Sequence, residues 1–435
     1  MMLWVPEYGR VVRGSVNRNL PSGNLELTSS DFDAVSTLLE ISNTDRLNSI
    51  FQYSKKDGVD CLWVQNYVGV IRTESDCQFE ILPKISKKVA VESARDLLVR
   101  MLVELQSSRV KQGTVADLQA FNLPILEVVL RYFLEQTTNV VRQGIARTYV
   151  EVQDNVVFLR GKLQLSEHLK RNLIHRSSFY CEYDEFEVNR PINRLIKRAL
   201  EIINRVSRDA RNLQTCRELM FWFDRVPAST NVDQDFRAVR QDRLVQHYAL
   251  AMPTCRLILK ELNPLSQQGE HRTMSLLFDM NTVFQDYVVA KLGERLSDWE
   301  ITAQASGKHL VESIDGVPKF ALKPDIELRN RLSGLHFIAD CKWKLVDLEK
   351  RTCGISQADM YQLYAYCKKC LPDQENKCVL LIYPKTDEFL APLGPFYFDK
   401  HFKHRLFALP FDLNNDCLIL PSLGLEDVNL MRLVA

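Results

Sequence analysis

The stretch KPDIEL at residues 323–328, followed by FIADCK at residues 337–342, decides the fold of the C-terminal part of this chain. The two stretches lie in residues 319–329 and 335–342, which each predict a β-strand, and the short separation predicts that the two strands pair. Asp340 and Lys342 are two residues apart, so they lie on one face of their strand. Pairing would bring Asp325 to Asp340 on that face.

Two carboxylates beside an ammonium group are unfavourable in a protein core unless a cation lies between them. Mg²⁺ is typically held by a few carboxylates, with water and phosphate oxygens completing its octahedron. We therefore predict Asp325 and Asp340 as metal ligands. Lys342 would polarise or deprotonate the attacking water and stabilise the charge of a phosphate. The alternative interpretation of the pattern is an ordinary strand with surface ion pairs.

The surrounding elements favour the metal-site interpretation. Residues 280–296 are amphipathic, residues 299–305 predict a strand, and residues 356–370 predict a helix. Gln362 and Tyr366 are four apart on that helix, so they face the same side. Residues 377–383 (KCVLLIY) form a continuous apolar run typical of a buried central strand. Together they predict an α/β unit with a mixed central sheet.

The remainder of the 435 residues predicts a multidomain α+β protein with two or three domains. Residues 59–72, with a break at Gly69, and residues 78–85 predict a β-rich N-terminal part. Helices are expected behind Ser93 and Pro124, and a hairpin is expected over residues 149–165 with Asp154-Asn155 in its turn. Residues 166–265 are mostly helical in pattern, and the polar segment 266–272 is typical of a linker.

Composition and charge exclude several classes of protein. The ordinary content of apolar and charged residues excludes disordered, collagen-like and coiled-coil chains. The formal net charge of +1 gives no indication of a nucleic-acid partner, so any basic footprint must be local. No apolar run is long enough to span a bilayer, and 11 scattered cysteines are typical of a reduced environment. We therefore expect a cytoplasmic protein that does not contact a membrane.

Two further residue groups have competing interpretations. Arg194, Arg198, Arg205 and Arg208 fall on one side of a predicted helix and would lie along DNA phosphates, or they form a solvated face interrupted by Glu201. A group of three cysteines has ligand-like spacing, which is similar to that of Fe–S clusters in some RecB-like nucleases; packed thiols are the alternative. These cysteines are Cys367, Cys370 and Cys378.

The order of these motifs resembles the PD-(D/E)xK nucleases, with the Q-x-x-x-Y element of their RecB-like branch. Further segments make the chain similar to the McrC family, the nuclease subunits of McrBC modified-cytosine-dependent restriction systems. The resemblance extends from about residue 60 to 385. Its segments are 67–71 (YVGVI), 81–85 (ILPKI), 142–149 (RQGIARTY), 159–163 (LRGKL), 183–185 (YDE), 189–200 and 279–287.

The resemblance implies a Mg²⁺-dependent endonuclease that cuts double-stranded, modified DNA and stimulates a hexameric AAA+ GTPase, McrB. Asp325, Asp340 and Lys342 take the catalytic positions. Residues 1–150 would dock on the GTPase, residues 151–265 would form a mainly helical connector that contacts DNA, and residues 266–435 would form the PD-(D/E)xK domain. The chain has no G-x-x-x-x-G-K-[ST] motif, so GTP would be bound by the partner.

One residue departs from the family pattern. Where the family often has Glu in N-x-x-F-E, this chain has Gln285 after Phe284. A neutral amide can hold a metal-bound water but adds no charge, so Gln285 is assigned a supporting role. Gln362 and Tyr366 of the Q-x-x-x-Y element are assigned supporting roles as well. Gln285 favours an alternative in which the chain is a catalytically inactive adaptor that only activates the GTPase. A stand-alone RecB-like repair nuclease is the third possibility.

Overall fold

The computed structural model describes most of the chain in twelve stretches. The described residues are 2–21, 23–41, 50–56, 58–84, 91–107, 123–174, 177–239, 243–262, 273–314, 317–371, 377–401 and 403–421. Contacts divide the chain into two compact units. One unit contains Met1–Ser108 together with Gly269–Ala435, and the other contains Arg109–Gln268. The predicted linker at residues 266–272 lies outside the described residues.

The N-terminal part of the first unit is rich in strands, as its β-branched and aromatic runs predict. Its elements are β1 (Leu3–Pro6), β2 (Arg10–Gly14), β3 (Arg18–Asn19), β4 (Leu25–Thr28), α1 (Ser29–Ile41), β5 (Phe51–Lys56), β6 (Val59–Val64), β7 (Tyr67–Arg72), β8 (Gln78–Leu82) and α2 (Val91–Ser107). One sheet has the order β3-β4-β2-β6-β5. Its apolar side chains share a core with Phe79 and Ile81 of β8.

The predicted break at Gly69 is wrong, because the chain turns at Gln65-Asn66, between β6 and β7. Gly69 lies inside β7 with a φ of 138°. A Cβ at this position would come within 2.0 Å of the carbonyl oxygen of Leu276 on the neighbouring strand. Glycine is therefore required here by the close approach of two backbones rather than by a turn.

The second unit is mainly helical. Its elements are α3 (Ile125–Gln143), β9 (Thr148–Val156), β10 (Lys162–Leu163), α4 (Leu165–Asn172), β11 (Phe179–Glu187), α5 (Pro191–Val206), α6 (Ala210–Trp222), α7 (Val232–Ala238), a 3₁₀ helix (Arg243–Tyr248) and α8 (Ala251–Glu261). The predicted helix after Pro124 is confirmed; it ends at Gln143 and is followed by Gly144, which has a φ of 104°. The predicted hairpin over residues 149–165 is wrong, because Asp154 and Asn155 continue β9, which pairs with β11 and not with β10 in a sheet of order β10-β11-β9.

The rest of the first unit contains the predicted α/β pattern. Its elements are β12 (Met274–Asp279), α9 (Met280–Arg295), β13 (Trp299–Ala303), β14 (Lys308–Ile314), β15 (Val317–Leu322), β16 (Ile326–Asn330), β17 (His336–Cys341), α10 (Gln357–Lys369), β18 (Lys377–Pro384), β19 (Leu393–Tyr397), β20 (His404–Asp412) and β21 (Cys417–Leu418). The main sheet has the order β13-β16-β17-β18-β20-β19, with β21 on β20. It is mixed, because β17, β18 and β20 run parallel while β16 is antiparallel to β17.

Helix α10 covers one face of this sheet, where Leu363 and Tyr366 pack against Val379 and Leu381. Helix α9 contacts β13 and β17. Burial of all eight residues of β18 explains why its sequence reads as one apolar run.

Strand β12 belongs to a different sheet from the strands that follow it. It pairs antiparallel with β7 and completes a four-stranded sheet of order β1-β8-β7-β12. The predicted functional ranges 1–150, 151–265 and 266–435 therefore do not coincide with the compact units, because 1–108 and 269–435 share one unit. No helix in the described part of the chain is long and apolar enough to cross a membrane.

Candidate active site

Two adjacent strands bring the predicted carboxylates together. Asp325 immediately precedes β16, and the antiparallel register pairs Ile326 with Ala339, so Asp325 lies opposite Asp340. The two carboxyl groups are close enough for one to hydrogen-bond the other when it is protonated. The backbone N–H of Cys341 donates to Oδ2 of Asp325 at 2.8 Å. The pairing predicted from the sequence is therefore present.

Lys342 lies beside this pair. Its Nζ is 2.7 Å from Oδ2 of Asp340, and its side chain is 19% exposed. Because Lys342 follows the last residue of β17, its backbone is held by the neighbouring strand, through an N–H bond to the carbonyl of Ile382 at 2.9 Å. The ammonium group therefore reaches the buried carboxylates from the end of a central strand.

The electrostatics of the site reflect burial of like charges. Burial, together with the charge of Asp340, raises the pKa of Asp325 to about 7. Burial also raises the pKa of Asp340, against the opposing effect of Lys342. Burial alone would lower the pKa of Lys342, but the adjacent Asp340 carboxylate outweighs it and the pKa is raised. Lys342 therefore remains an ammonium group at neutral pH.

A divalent cation fits this arrangement. Both carboxylate oxygens of Asp340 are buried; Oδ2 is paired with Nζ of Lys342 at 2.7 Å, and Oδ1 has no hydrogen-bond partner among the described residues. Two ionised carboxyls in contact repel each other, and a cation between them removes that repulsion. The described residues contain no group of three His, Cys, Asp or Glu side chains placed to hold a metal. The cation would thus rest on two carboxylates, with water or substrate oxygens completing its coordination.

Helix α10 supports the segment that leads into Asp325. Nε2 of Gln362 donates to the hydroxyl oxygen of Tyr366 at 2.8 Å, and that hydroxyl donates to the carbonyl of Lys323 at 3.0 Å. The predicted sharing of one helix side by Gln362 and Tyr366 is therefore present. Both side chains act on the backbone near the carboxylates, through a hydrogen-bonded relay.

Helix α9 contacts the segments that carry both carboxylates, and the sequence predicted only one of its two contacting residues, Gln285. Nε2 of Gln285 donates to the backbone carbonyl of Asp325 at 3.4 Å, and Oδ1 of Asn281 accepts from the backbone N–H of Trp343 at 2.9 Å. The two residues are four apart and share one side of the helix. The N-x-x-F motif that contains Asn281 could have indicated this residue, but residue spacing could not predict that its partner is the backbone of Trp343.

A further acidic residue near the site, Asp359, was not predicted from the sequence. Asp359 on α10 is buried, and its Oδ2 accepts from Nζ of Lys344 at 3.0 Å. Its charge contributes to the raised pKa values of Asp340 and Lys342. Nothing in the sequence distinguishes Asp359 from an ordinary first-turn helix acid, because it also follows the N-cap Ser356.

The predicted arginine stripe is only partly present. Helix α5 ends at Val206, so Arg208 lies beyond it, and the backbone N–H of Arg208 donates to Oε1 of Glu127 at 2.6 Å. Arg194 forms a 3.2 Å bond to Asp235, and Arg198 forms an ion pair with Glu201 at 3.1 Å. Arg205 is exposed. Acidic neighbours thus neutralise two of the four predicted phosphate-binding side chains.

The cysteine group is packed in the core. Cys367, Cys370 and Cys378 are buried, and burial raises the pKa of Cys367 and of Cys370 to about 11. Cys367 and Cys370 lie in the apolar cluster beneath α10. Burial of this kind is typical of cysteines that pack as small apolar side chains.

Comparisons with known proteins agree with this fold. The model of the McrBC family, described as a McrBC 5-methylcytosine restriction system component, matches residues 62–384. The chain belongs to this family. No curated protein matches it.

Two solved structures are similar in fold. One is the refined half-complex from a tetradecameric assembly of Thermococcus gammatolerans McrB AAA+ hexamers with bound McrC; the TM-score is 0.65 at 18% identity, over 99% of this chain and 98% of that chain. The other is the cryo-EM structure of the Thermococcus gammatolerans McrBC complex; the TM-score is 0.50 at 20% identity, over 68% of this chain and 88% of that chain.

Proposed function

We propose that this McrBC-family chain is the Mg²⁺-dependent endonuclease subunit of a GTP-dependent restriction complex and that it hydrolyses DNA phosphodiesters. The observation that carries the proposal is the position of Asp325 opposite Asp340 in the strand register, with Lys342 Nζ at 2.7 Å from Oδ2 of Asp340. Carboxylates that repel each other in a buried site are a destabilising arrangement, and a cation-dependent reaction supplies the reason to keep it.

Each residue has a role that follows from its position. Asp325 and Asp340 would hold the magnesium ion, and when bound the ion supplies Lewis-acid stabilisation of phosphate charge. Lys342 is placed to orient water and to donate hydrogen bonds to a charged phosphate oxygen. Gln285 and Tyr366 fix the backbone on either side of Asp325, so the carboxylate is positioned before substrate binds.

We propose that the partner is a McrB-like hexameric AAA+ GTPase, which would bind GTP and select modified double-stranded DNA. Similar solved structures are of McrB AAA+ hexamers with bound McrC. Besides the predicted docking range 1–150, the second unit offers a surface suited to a protein partner. Large apolar side chains cluster there around β9, α4 and β11, where Phe158 is 81% exposed and Ile174 is 86% exposed. Exposed apolar groups on this scale are typical of interaction sites.

Gln285 supports a second candidate, an adaptor that activates the GTPase without cutting. Its amide contacts the backbone of Asp325 and adds no third carboxylate. A stand-alone repair nuclease is a further alternative, which would cut DNA without partner or GTP.

A reconstituted plasmid cleavage assay with the AAA+ partner, GTP and Mg²⁺ separates these functions. We expect wild type to nick DNA, Asp340→Ala to abolish nicking, and both to stimulate GTP hydrolysis equally. Glu300→Ala is a matched control, because Glu300 is an exposed acid on the edge strand of the same sheet. Equal cutting by Asp340→Ala would refute the site, GTPase stimulation without nicking by wild type would favour the adaptor, and nicking without partner would favour the stand-alone nuclease.

A further inference from the structure

Glu7 carries a buried carboxyl group. It is far from Lys342 in sequence, yet it contacts Trp343, the residue that follows Lys342. Glu7 has no exposed surface, and its Oε2 accepts from the indole Nε1–H of Trp343 at 2.8 Å and from the backbone N–H of Lys84 at 3.0 Å. Its Oε1 is buried without a hydrogen-bond partner among the described residues. Burial of an unpaired carboxyl oxygen destabilises the folded state, so a role beyond packing is expected for Glu7.

The turn that carries Glu7 is held from several sides. The Glu7 N–H donates to the carbonyl of Leu82 at 2.9 Å, and the Tyr8 N–H donates to the carbonyl of Val64 at 3.1 Å. Tyr8 has a φ of 58°, which is a strained value for a bulky residue and persists only when the surroundings fix it. The carboxyl of Glu7 is therefore presented by a rigid corner of the N-terminal sheets.

Trp343 lies two residues beyond the end of β17. Its backbone N–H donates to Asn281 of α9, its indole donates to Glu7, and its ring packs against Phe284 with centroids 5.4 Å apart. The preceding residues carry the site: Cys341 donates its N–H to Asp325, and Lys342 reaches Asp340. A shift of Trp343 would therefore move both groups.

We propose that Glu7 is a positioning residue of the acidic centre: its carboxyl anchors the Trp343 indole and so fixes the segment that carries Cys341 and Lys342. The site then depends on the N-terminal sheets for its geometry, although the catalytic motif lies more than 300 residues away. This inference rests on the proposed metal site. Outer groups that orient a metal site commonly contribute 10- to 100-fold to affinity or rate.

The test measures Mg²⁺ affinity of the full-length chain by calorimetry, and the turnover and KM for plasmid DNA in the reconstituted complex. Glu7→Leu removes the acceptor, and Trp343→Phe removes the donor while keeping an aromatic ring. Each should weaken Mg²⁺ binding and lower kcat by about tenfold with KM for DNA unchanged. Glu7→Gln keeps an acceptor oxygen and should stay within about twofold of wild type. The double variant should be no worse than either single variant, because both break one contact.

Folding is checked separately, because Glu7→Leu alone could act by unfolding the chain. Trp343→Phe with wild-type circular dichroism and a tenfold loss supports the proposal even if Glu7→Leu does not fold. Wild-type Mg²⁺ affinity in a folded Trp343→Phe or Glu7→Leu chain would overturn it while leaving the proposed nuclease intact. If wild type binds Mg²⁺ without cutting, the nuclease proposal fails and the affinity comparison still decides the role of Glu7. Absence of Mg²⁺ binding by wild type would overturn both.

Discussion

Replacement of Glu7 by Gln should change how the stability of the protein depends on pH. Burial raises the pKa of Glu7 from 4.5 to about 8 in the folded chain. Between these values the folded state keeps a proton that the unfolded state has released, so the free energy of unfolding falls as pH rises and levels off above pH 8. At about 1.36 kcal/mol per pH unit, wild type should lose roughly 3 kcal/mol between pH 4.5 and 7, and roughly 4 kcal/mol between pH 4.5 and 9, relative to Glu7→Gln.

The assay is equilibrium urea unfolding of wild type and Glu7→Gln at pH 5, 6, 7, 8 and 9, followed by circular dichroism. The informative quantity is the difference in free energy of unfolding between wild type and Glu7→Gln, followed as a function of pH. A difference that does not change with pH reflects only how well the glutamine amide packs at this position. Glu300→Gln, at an exposed position, should follow wild type. If the curves of wild type and Glu7→Gln stay parallel from pH 5 to 9, the reasoning about the buried carboxyl is wrong.

Three further outcomes follow from described contacts. Gln285→Glu should slow cleavage about fivefold, because the donor to the Asp325 carbonyl is lost, equivalent to about 1 kcal/mol; nicking rates measure it. Leu363→Ala should lower the free energy of unfolding by about 2–5 kcal/mol in urea titrations, since the side chain is fully buried under the site. Phe158→Asp with Ile174→Asp should reduce GTPase stimulation while Mg²⁺ affinity stays at the wild-type value, because both side chains are exposed in the second unit.

Each of these has an outcome that contradicts it. Faster cutting by Gln285→Glu would indicate that a third carboxylate joins the metal, as the family pattern suggests. An unchanged unfolding curve for Leu363→Ala would mean that the core beneath α10 relaxes to fill the space. Full GTPase stimulation by the double aspartate variant would place the docking surface elsewhere, including the predicted range 1–150.

The sequence predicted the central geometry because that geometry is local. Strand alternation fixes Asp340 and Lys342 on one face, and a short connection makes β16 and β17 neighbours, so the position of Asp325 follows. The helix spacing of Gln362 and Tyr366 is equally local. The catalytic roles of these residues remain predictions.

Long-range contacts explain what could not be predicted. Pairing of β9 with β11 overrides the turn tendency of Asp154-Asn155, because tertiary pairing outweighs local preference. The bond between Glu7 and Trp343 joins residues 336 positions apart, and no spacing rule reaches that far. Gly69 was predicted to interrupt the strand because glycine permits turns. Glycine is required there because the backbone of β12 lies against this position.

Strand β12 has a consequence for biosynthesis and for protein engineering. It lies after the helical unit in the chain but pairs with β7 in the N-terminal sheet. During translation, the ribosome must therefore release about 200 intervening residues before that sheet can close. An isolated fragment ending before residue 274 would expose the edge of β7, a ready template for aggregation. Exchange of segments between relatives should therefore keep residues 1–108 and 269–435 together as one compact unit and replace only residues 109–268.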